Sequence, residues 1–344
     1  MALPRRSQVL FNPGPVNLDP AIPEGLFNVE LCHRQPEFEE LDLSIRARLL
    51  TLTGLSRIQG AHYQVSLLHG GGTLAVEAAL CSFVRGCVLV VNNGAYCQRI
   101  LDTLGLLTGV EAVELDAHLG RPPDLGQLEQ IVRQRHFDWV AVVHHETTTG
   151  LLNPLAEIAG LCRATDTRLF VDAVSSFGVH RVDVGADVIC FNSNKCLESL
   201  PGVAGVVWAK GLPRHATVPV LDVGAYADGL PFTPNVQAFV ALDTALDLLA
   251  AEDRPARYRR LARHVWAVGQ RQFDPVVDEH ARSHVLTAFH LGGRDPDRLF
   301  VTAMAHGFVT YHGQGTLRSQ MFRVANMGSA INEGAIDRLF EVIA

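Results

Sequence analysis

The 344-residue chain contains no apolar run that approaches the roughly 18 residues a membrane-spanning helix requires. A surplus of basic charge is missing too: 29 Lys and Arg face 36 Asp and Glu, for a formal charge of −7. Nucleic-acid binding requires a basic face, so that partner class is not expected, whereas a small anionic substrate held by one or two local arginines is compatible. No CxxC pair occurs among the seven scattered cysteines, Cys32, Cys81, Cys87, Cys97, Cys162, Cys190 and Cys196. That spacing argues against a disulfide framework and a zinc ribbon. The first residues, MALPRRSQVLFNPGP, lack the apolar stretch of a secretory signal. A cytoplasmic protein with reduced thiols is the expectation. Repeats, low-complexity tracts and charge runs are absent as well.

Core-forming material is plentiful. Hydrophobic residues make up 48% and charged residues 19%, a balance that excludes a disordered chain, and the length suggests about two domains. From about residue 62 to residue 210, short β-branched runs alternate with stretches of helical period. Val88–Val91, Trp139–Val143, Leu169–Val171, Val188–Phe191 and Val203–Trp208 predict buried strands. Thr73–Val84, Cys97–Leu107, Leu125–Gln134 and Leu155–Ala164 predict the helices between them. Such alternation implies an α/β domain with a mostly parallel sheet between helices. After Gly211 the pattern changes. A Pro/Gly-rich stretch, Val220–Pro234, precedes a long helix from Val236 to about Ala251. Short strands follow at Val285–His290, Phe308–Tyr311 and Phe322–Ala325, before a last helical segment at Ile331–Ile343. The expected organisation is an N-terminal arm over 1–20, a large domain over 21–235, and a linker helix with a small α+β domain over 236–344.

Ligands of open α/β sheets bind beyond the carboxyl ends of the strands, and three polar segments fall there. His69-Gly70-Gly71-Gly72-Thr73 opens a helix. Glycines let backbone N–H groups approach a ligand, and a helix N-terminus favours an anion; a plain tight turn is the ordinary alternative. The segment has neither Walker nor GxGxxG spacing, and no serine lies in a GxSxG elbow. Asp172 directly follows Leu169-Phe170-Val171 and reads as a helix cap or a ligand partner. Ser193-Asn194-Lys195-Cys196 follows Val188-Ile189-Cys190-Phe191 in a chain with few lysines. A lysine there is costly to bury unless it faces a wet or charged pocket, and a desolvated lysine is the residue type that condenses with carbonyl groups. A phosphate cup, a carboxylate for a pyridinium nitrogen and a lysine about two dozen residues later are what pyridoxal phosphate needs. His33, His69, His144 and His145 read as polar packing, because HHETTTG lacks the second histidine of HExxH; no metal is expected.

At this point the chain resembles the class V aminotransferase family of fold-type I pyridoxal-phosphate enzymes. The carrying segments run in order over nearly the whole length: Asn12-Pro13-Gly14-Pro15, His33-Arg34-Gln35-Pro36-Glu37-Phe38, Gly70-Gly71-Gly72-Thr73, and Asn93-Gly94-Ala95-Tyr96 with Arg99. Then come His145-Glu146-Thr147-Thr148-Thr149-Gly150, Val171-Asp172-Ala173-Val174-Ser175-Ser176-Phe177-Gly178, Ser193-Asn194-Lys195-Cys196 and Phe322-Arg323. The ETTTG and VDAVSSFG stretches are specific; the glycine loop is not.

The resemblance implies a role for each matching position. Lys195 would carry the cofactor as an aldimine and Asp172 would pair with its pyridine nitrogen. Tyr96 would stack on one ring face, Val174 would pack the other, and Thr148 would bond the ring hydroxyl. Gly71, Gly72, Thr73 and Ser193 would hold the phosphate, with Thr233 reaching across from a partner subunit. Arg323 would clamp the substrate's carboxylate or phosphonate, and Gly14 would line the substrate entrance. The implied activity is transfer of an amino group from a small donor, most simply 2-aminoethylphosphonate, to pyruvate, in a homodimer with shared active sites. Glyoxylate transamination and a lyase acting on a hydroxylated aminophosphonate use the same cofactor motifs. A cofactor-binding protein without turnover is a rival of another class, against which Lys195, Asp172 and Arg323 all speak. The chain departs from the family pattern at Cys97, in place of glycine, and at Glu198-Ser199-Leu200-Pro201-Gly202, in place of a Gln-Gly-Val-Pro-Gly type of stretch. Gln237 stands where phosphonate-active members tend to carry arginine. These departures bear on substrate choice.

Overall fold

The computed structural model describes residues 8–27, 29–57 and 62–344. Seven strands form the central sheet, in the order Tyr63–Gly70, Gly202–Ala209, Val188–Asn192, Arg168–Asp172, Trp139–Val143, Gly86–Asn92 and Val110–Asp116. Gly202–Ala209 runs antiparallel to both of its neighbours, and every other pair is parallel. Trp139–Val143 and Val188–Asn192 are buried at every residue, as a sheet covered on both faces demands. Two strands go beyond the sequence expectation. In Tyr63–Gly70 polar residues interrupt the apolar run, yet Ser66 is buried there with its hydroxyl donating to the Val223 carbonyl at 2.7 Å and accepting from Trp208 Nε1 at 3.0 Å. Val110–Asp116 is an edge strand carrying the exposed Glu111 and Glu114, so it lacks the apolar signature of a central strand.

The smaller sheet is antiparallel, with Met321–Ala325 between Leu286–His290 and Tyr311–His312. The strand expected at Phe308–Tyr311 is divided: Phe308–Val309 pairs with Val9–Leu10, and Tyr311–His312 joins the small sheet. Phe11 shares a core with Phe273, Phe289, Phe322 and Phe340, so residues 9–11 of the expected arm pack as part of the small domain. The helix Val236–Ala250, expected as a linker, buries Phe239, Leu242 and Leu246 among Phe191, Val203 and Val207 of the large domain. The helix Arg254–Gly269 makes the crossing instead, setting Leu261 and Val265 into the small-domain core. Among the described residues no helix is long and apolar enough to cross a membrane.

Close packing of the sheet identifies positions where one methyl group decides stability. A Cβ at Gly205 would lie 2.0 Å from Phe191 Cζ, and that ring is stacked on Phe177 at 4.3 Å. Gly160, inside the helix Leu155–Ala164, has nothing within 4 Å of such a Cβ. Gly205→Ala is therefore expected to destabilise by about 1–3 kcal/mol through overpacking, while Gly160→Ala stabilises by about 0.5–1 kcal/mol through helix propensity. Denaturant unfolding midpoints moving in opposite directions check both.

Candidate active site

The carboxyl ends of the parallel strands and the start of Gly202–Ala209 surround a cavity of about 470 Å³. Strand Tyr63–Gly70 delivers the glycine segment to its wall, where Gly71 caps the helix Gly72–Phe83. The first turn of a helix leaves N–H groups without intrahelical partners, and these face the cavity edge. A Cβ at Gly72 would stand 2.6 Å from Val174 Cγ1, whereas the space around Gly71 is open. The position at Gly72 thus tolerates only glycine, and the cup it forms is continuous with Val174. Arg99 lines the same cavity; its Nη1 donates to Thr73 Oγ1 at 3.1 Å and its guanidinium lies 5.0 Å from the centre of the Tyr96 ring.

Tyr96 is the second residue of the helix Ala95–Leu104. Its placement depends on Glu146, a carboxyl with no exposed surface. Glu146 accepts from the Tyr96 N–H at 3.1 Å, the Thr148 N–H at 2.8 Å and the Thr148 hydroxyl at 2.7 Å. Burial pushes this carboxyl above its usual pKa range, and those donors act against the rise. On the outer side, Gln314 Nε2 donates to the Tyr96 hydroxyl at 3.3 Å, which ties the small domain to the ring.

Asp172 ends the strand Arg168–Asp172 and accepts from the Val174 N–H at 2.9 Å. Burial raises its pKa to about 6, while that N–H, Arg99 and Lys195 pull the other way. Lys195 follows the strand Val188–Asn192 and donates from Nζ to the Pro13 carbonyl. Burial lowers the amine to about 8, with Arg323 adding to the fall and Cys196 and Asp172 opposing it. Gly14 lies against this side chain at φ +94°, and a Cβ there would come within 2.9 Å of Lys195 Cδ. Arg323 stands on the small-domain strand Met321–Ala325, 4% exposed, with Nε donating to the His312 carbonyl at 2.9 Å and Nη1 to the Thr147 carbonyl at 3.1 Å. It makes no ion pair among the described residues, and its remaining donors are free beside the cavity, with the Glu146 carboxyl as the nearest acidic influence.

Gly71, Gly72, Thr73, Tyr96, Asp172, Val174 and Lys195 line one cavity, as the sequence implies. Two other expected residues, Thr148 and Ser193, are placed differently, while Thr233, expected to serve a partner subunit, lies away from this cavity. The Thr148 hydroxyl is engaged by Glu146 and the Ala95 N–H, and Thr147 is the threonine that lines the cavity. The buried Ser193 hydroxyl donates to the Leu200 carbonyl at 2.6 Å, which locks the lysine loop; Asn192 and Asn194 line the cavity in its place. Thr233 lies on a separate cavity of about 550 Å³ with Arg34 and Asp42. Sequence reasoning gave no role to Glu146 or Gln314, and read His145 as polar packing. His145 Nδ1 lies 3.1 Å from the Ser175 hydroxyl, while its Nε2 is buried without a partner.

The pattern of the aminotransferase class-V family matches residues 57–267. A 2-aminoethylphosphonate–pyruvate transaminase of Burkholderia thailandensis is 34% identical, over 95% of this chain and 93% of that relative. One from Burkholderia ambifaria is 36% identical, over 89% of this chain and 87% of its own. Among solved structures, an alanine–glyoxylate aminotransferase from Nostoc superposes with a TM-score of 0.91 at 24% identity, covering 100% of this chain and 96% of the other. A Thermus thermophilus aspartate aminotransferase of subgroup IV superposes with 0.87 at 25% identity, covering 98% and 100%.

A buried amine with a pKa near 8 in the folded chain, below the ordinary 10.5, binds fewer protons than the unfolded chain between those values. The contribution of Lys195 to stability therefore rises with pH through that window, and at neutral pH its charged form is a penalty. Lys195→Met is expected to melt at a higher temperature than wild type at pH 7 without cofactor, with the gain shrinking toward pH 10. A melting temperature that is lower at every pH would contradict this.

Proposed function

The chain belongs to the class-V aminotransferase family, and we propose that it moves the amino group of 2-aminoethylphosphonate to pyruvate, giving phosphonoacetaldehyde and alanine. Pyridoxal 5'-phosphate is the cofactor, and the residues present fit it. Asn192 Oδ1 and His145 Nε2 line the cavity and are buried without partners, and the open space at Gly71 leaves the helix N-terminus accessible to an anion. Gly71, Gly72 and Thr73 would hold the phosphate, Tyr96 and Val174 the two ring faces, and Asp172 the ring nitrogen. When bound, the cofactor supplies an aldehyde that condenses with amines and a protonated ring that withdraws electrons.

The chain's own groups supply the rest. Asp172, with its pKa raised to about 6, is ionised at neutral pH and can keep an adjacent pyridine nitrogen protonated. Lys195 Nζ, lowered to about 8, is neutral in part near neutral pH and can take a proton from the carbon bearing the donor's amino group, then return it on the far side of that nitrogen, a 1,3-shift. Arg323 offers its unused donors to the phosphonate of the donor and the carboxylate of the acceptor, both planar-fork targets for a guanidinium. The reading extends to a homodimer: Thr233 lies on a cavity apart from Lys195 and is assigned to the phosphate cup of a second copy. The seven free cysteines fit a reducing cytoplasm.

The observation that carries the reading is the unpaired, buried Arg323 beside a cavity that holds both Lys195 and Asp172, in a chain 34% identical to a 2-aminoethylphosphonate–pyruvate transaminase. Incubated with 2-aminoethylphosphonate and pyruvate, the purified protein is expected to form alanine and phosphonoacetaldehyde in equal amounts, and Lys195→Ala to form neither. Alanine formed only from a different donor would overturn the substrate assignment, and ammonia released without alanine would indicate a lyase.

A further inference from the structure

Three residues beyond Lys195 the chain turns through Glu198, a non-glycine residue at φ +57°. Its N–H donates to the Lys195 carbonyl at 2.9 Å, closing the turn that carries the lysine. A left-handed conformation at a side-chain-bearing residue is unfavourable and persists only where the surroundings hold it. Here the side chain does the holding. The carboxylate is buried and reaches into the small domain, where Oε1 accepts from the Tyr258 hydroxyl at 2.6 Å and the Gly328 N–H at 2.9 Å. Both oxygens accept from Arg257 Nη2 at 2.9 Å. Arg254, also buried, lies 3.8 Å from Oε2 and donates from Nη1 to the carbonyls of Cys196 and Leu197, each at 3.1 Å.

Every backbone carbonyl from Lys195 to Leu197 is thus held either by Glu198 itself or by an arginine paired with it. Glu252 bridges Arg254 and Arg257 from the other side, so two acids balance two arginines. The contacts also close a ring through the N-terminal segment. Gly328 packs against Asn17, where a Cβ would come within 2.8 Å of the Asn17 carbonyl, and four residues earlier Pro13 receives Lys195 Nζ.

We propose that Glu198 is a positioning residue for Lys195: its carboxylate pins the lysine-bearing turn to the helix Arg254–Gly269 and to Gly328, so that the small domain fixes where the amine points. The charge is part of the device, because a neutral side chain would leave Arg254 and Arg257 short of an anion in a buried setting. The inference rests on Lys195 being the reactive amine.

Glu198→Gln keeps the shape and one acceptor, and Tyr258→Phe removes a single hydrogen bond while leaving the ion pairs, so it serves where Glu198→Gln does not fold. In the cofactor-loaded enzyme, Glu198→Gln is expected to lower kcat by about tenfold or more with KM for the donor nearly unchanged, since ångström-scale misplacement of a reacting group costs up to about 100-fold. Tyr258→Phe should show the same split at smaller size. In the full-length protein without cofactor, reductive methylation of Lys195, followed by mass spectrometry, should speed up several-fold in both variants as the amine is released from Pro13. The only other lysine, the exposed Lys210, is the internal reference. Wild-type kcat per bound cofactor and a wild-type methylation ratio in the variants, even with a reduced melting temperature, would overturn the proposal and leave Glu198 a purely structural residue. Methylation does not depend on which donor the enzyme uses, so failure of the substrate assignment would be told apart from failure here.

Discussion

The hydrogen bond from Lys195 Nζ to the Pro13 carbonyl is the contact on which the rest of the site turns. An amine taken out of water loses its hydration and keeps its position only if something inside accepts its protons. Here the acceptor is brought by a segment from the far end of the chain. Residues 9–11 are anchored in the small domain, through pairing with Phe308–Val309 and burial of Phe11, and the next turn carries Pro13 and Gly14 onto the lysine. The amine is therefore held at the meeting point of three pieces: the large sheet, the small domain and the N-terminal segment.

A second constraint acts on the opposite wall. Glu146 is a fully buried carboxyl that gathers the start of the Tyr96 helix and Thr148 around itself, while Thr147 lines the cavity. Gln314 closes the arrangement from outside, bonding both the Tyr96 hydroxyl and, at 3.1 Å, the Thr148 hydroxyl. Arg323 repeats the theme by donating to the Thr147 carbonyl. Each wall of the cavity is thus built on the large domain and trimmed by the small one. Buried polar groups of this kind are costly when half satisfied, which is why they appear in linked sets rather than singly.

Much of the site was readable because the residues that matter follow directly on strands. Asp172 and Lys195 come just after apolar runs that could only be buried, and the glycine segment opens a helix, so their common edge follows from α/β topology. What was not readable is of two kinds. Within Thr147-Thr148-Thr149 three identical residues differ only in direction, and the choice between them is made by Glu146, whose burial has no sequence signature. The other kind is distance along the chain: Gln314 meets Thr148 across 166 positions and Arg254 meets Cys196 across 58, in a small domain whose short strands carry weak periodicity. The Phe308–Tyr311 run divides between two sheets for the same reason, since four residues of mixed apolar, polar and aromatic character do not announce which partner will pair with them.

On this reading the fold isolates one amine, Lys195, as the group that takes the cofactor. Incubation of the purified protein with pyridoxal 5'-phosphate, reduction with borohydride and peptide mass spectrometry tests it directly. A single reduced adduct is expected on Lys195 with Lys210 unmodified, at one cofactor per chain. An adduct on Lys210 alone, or no stable adduct at all, would contradict it.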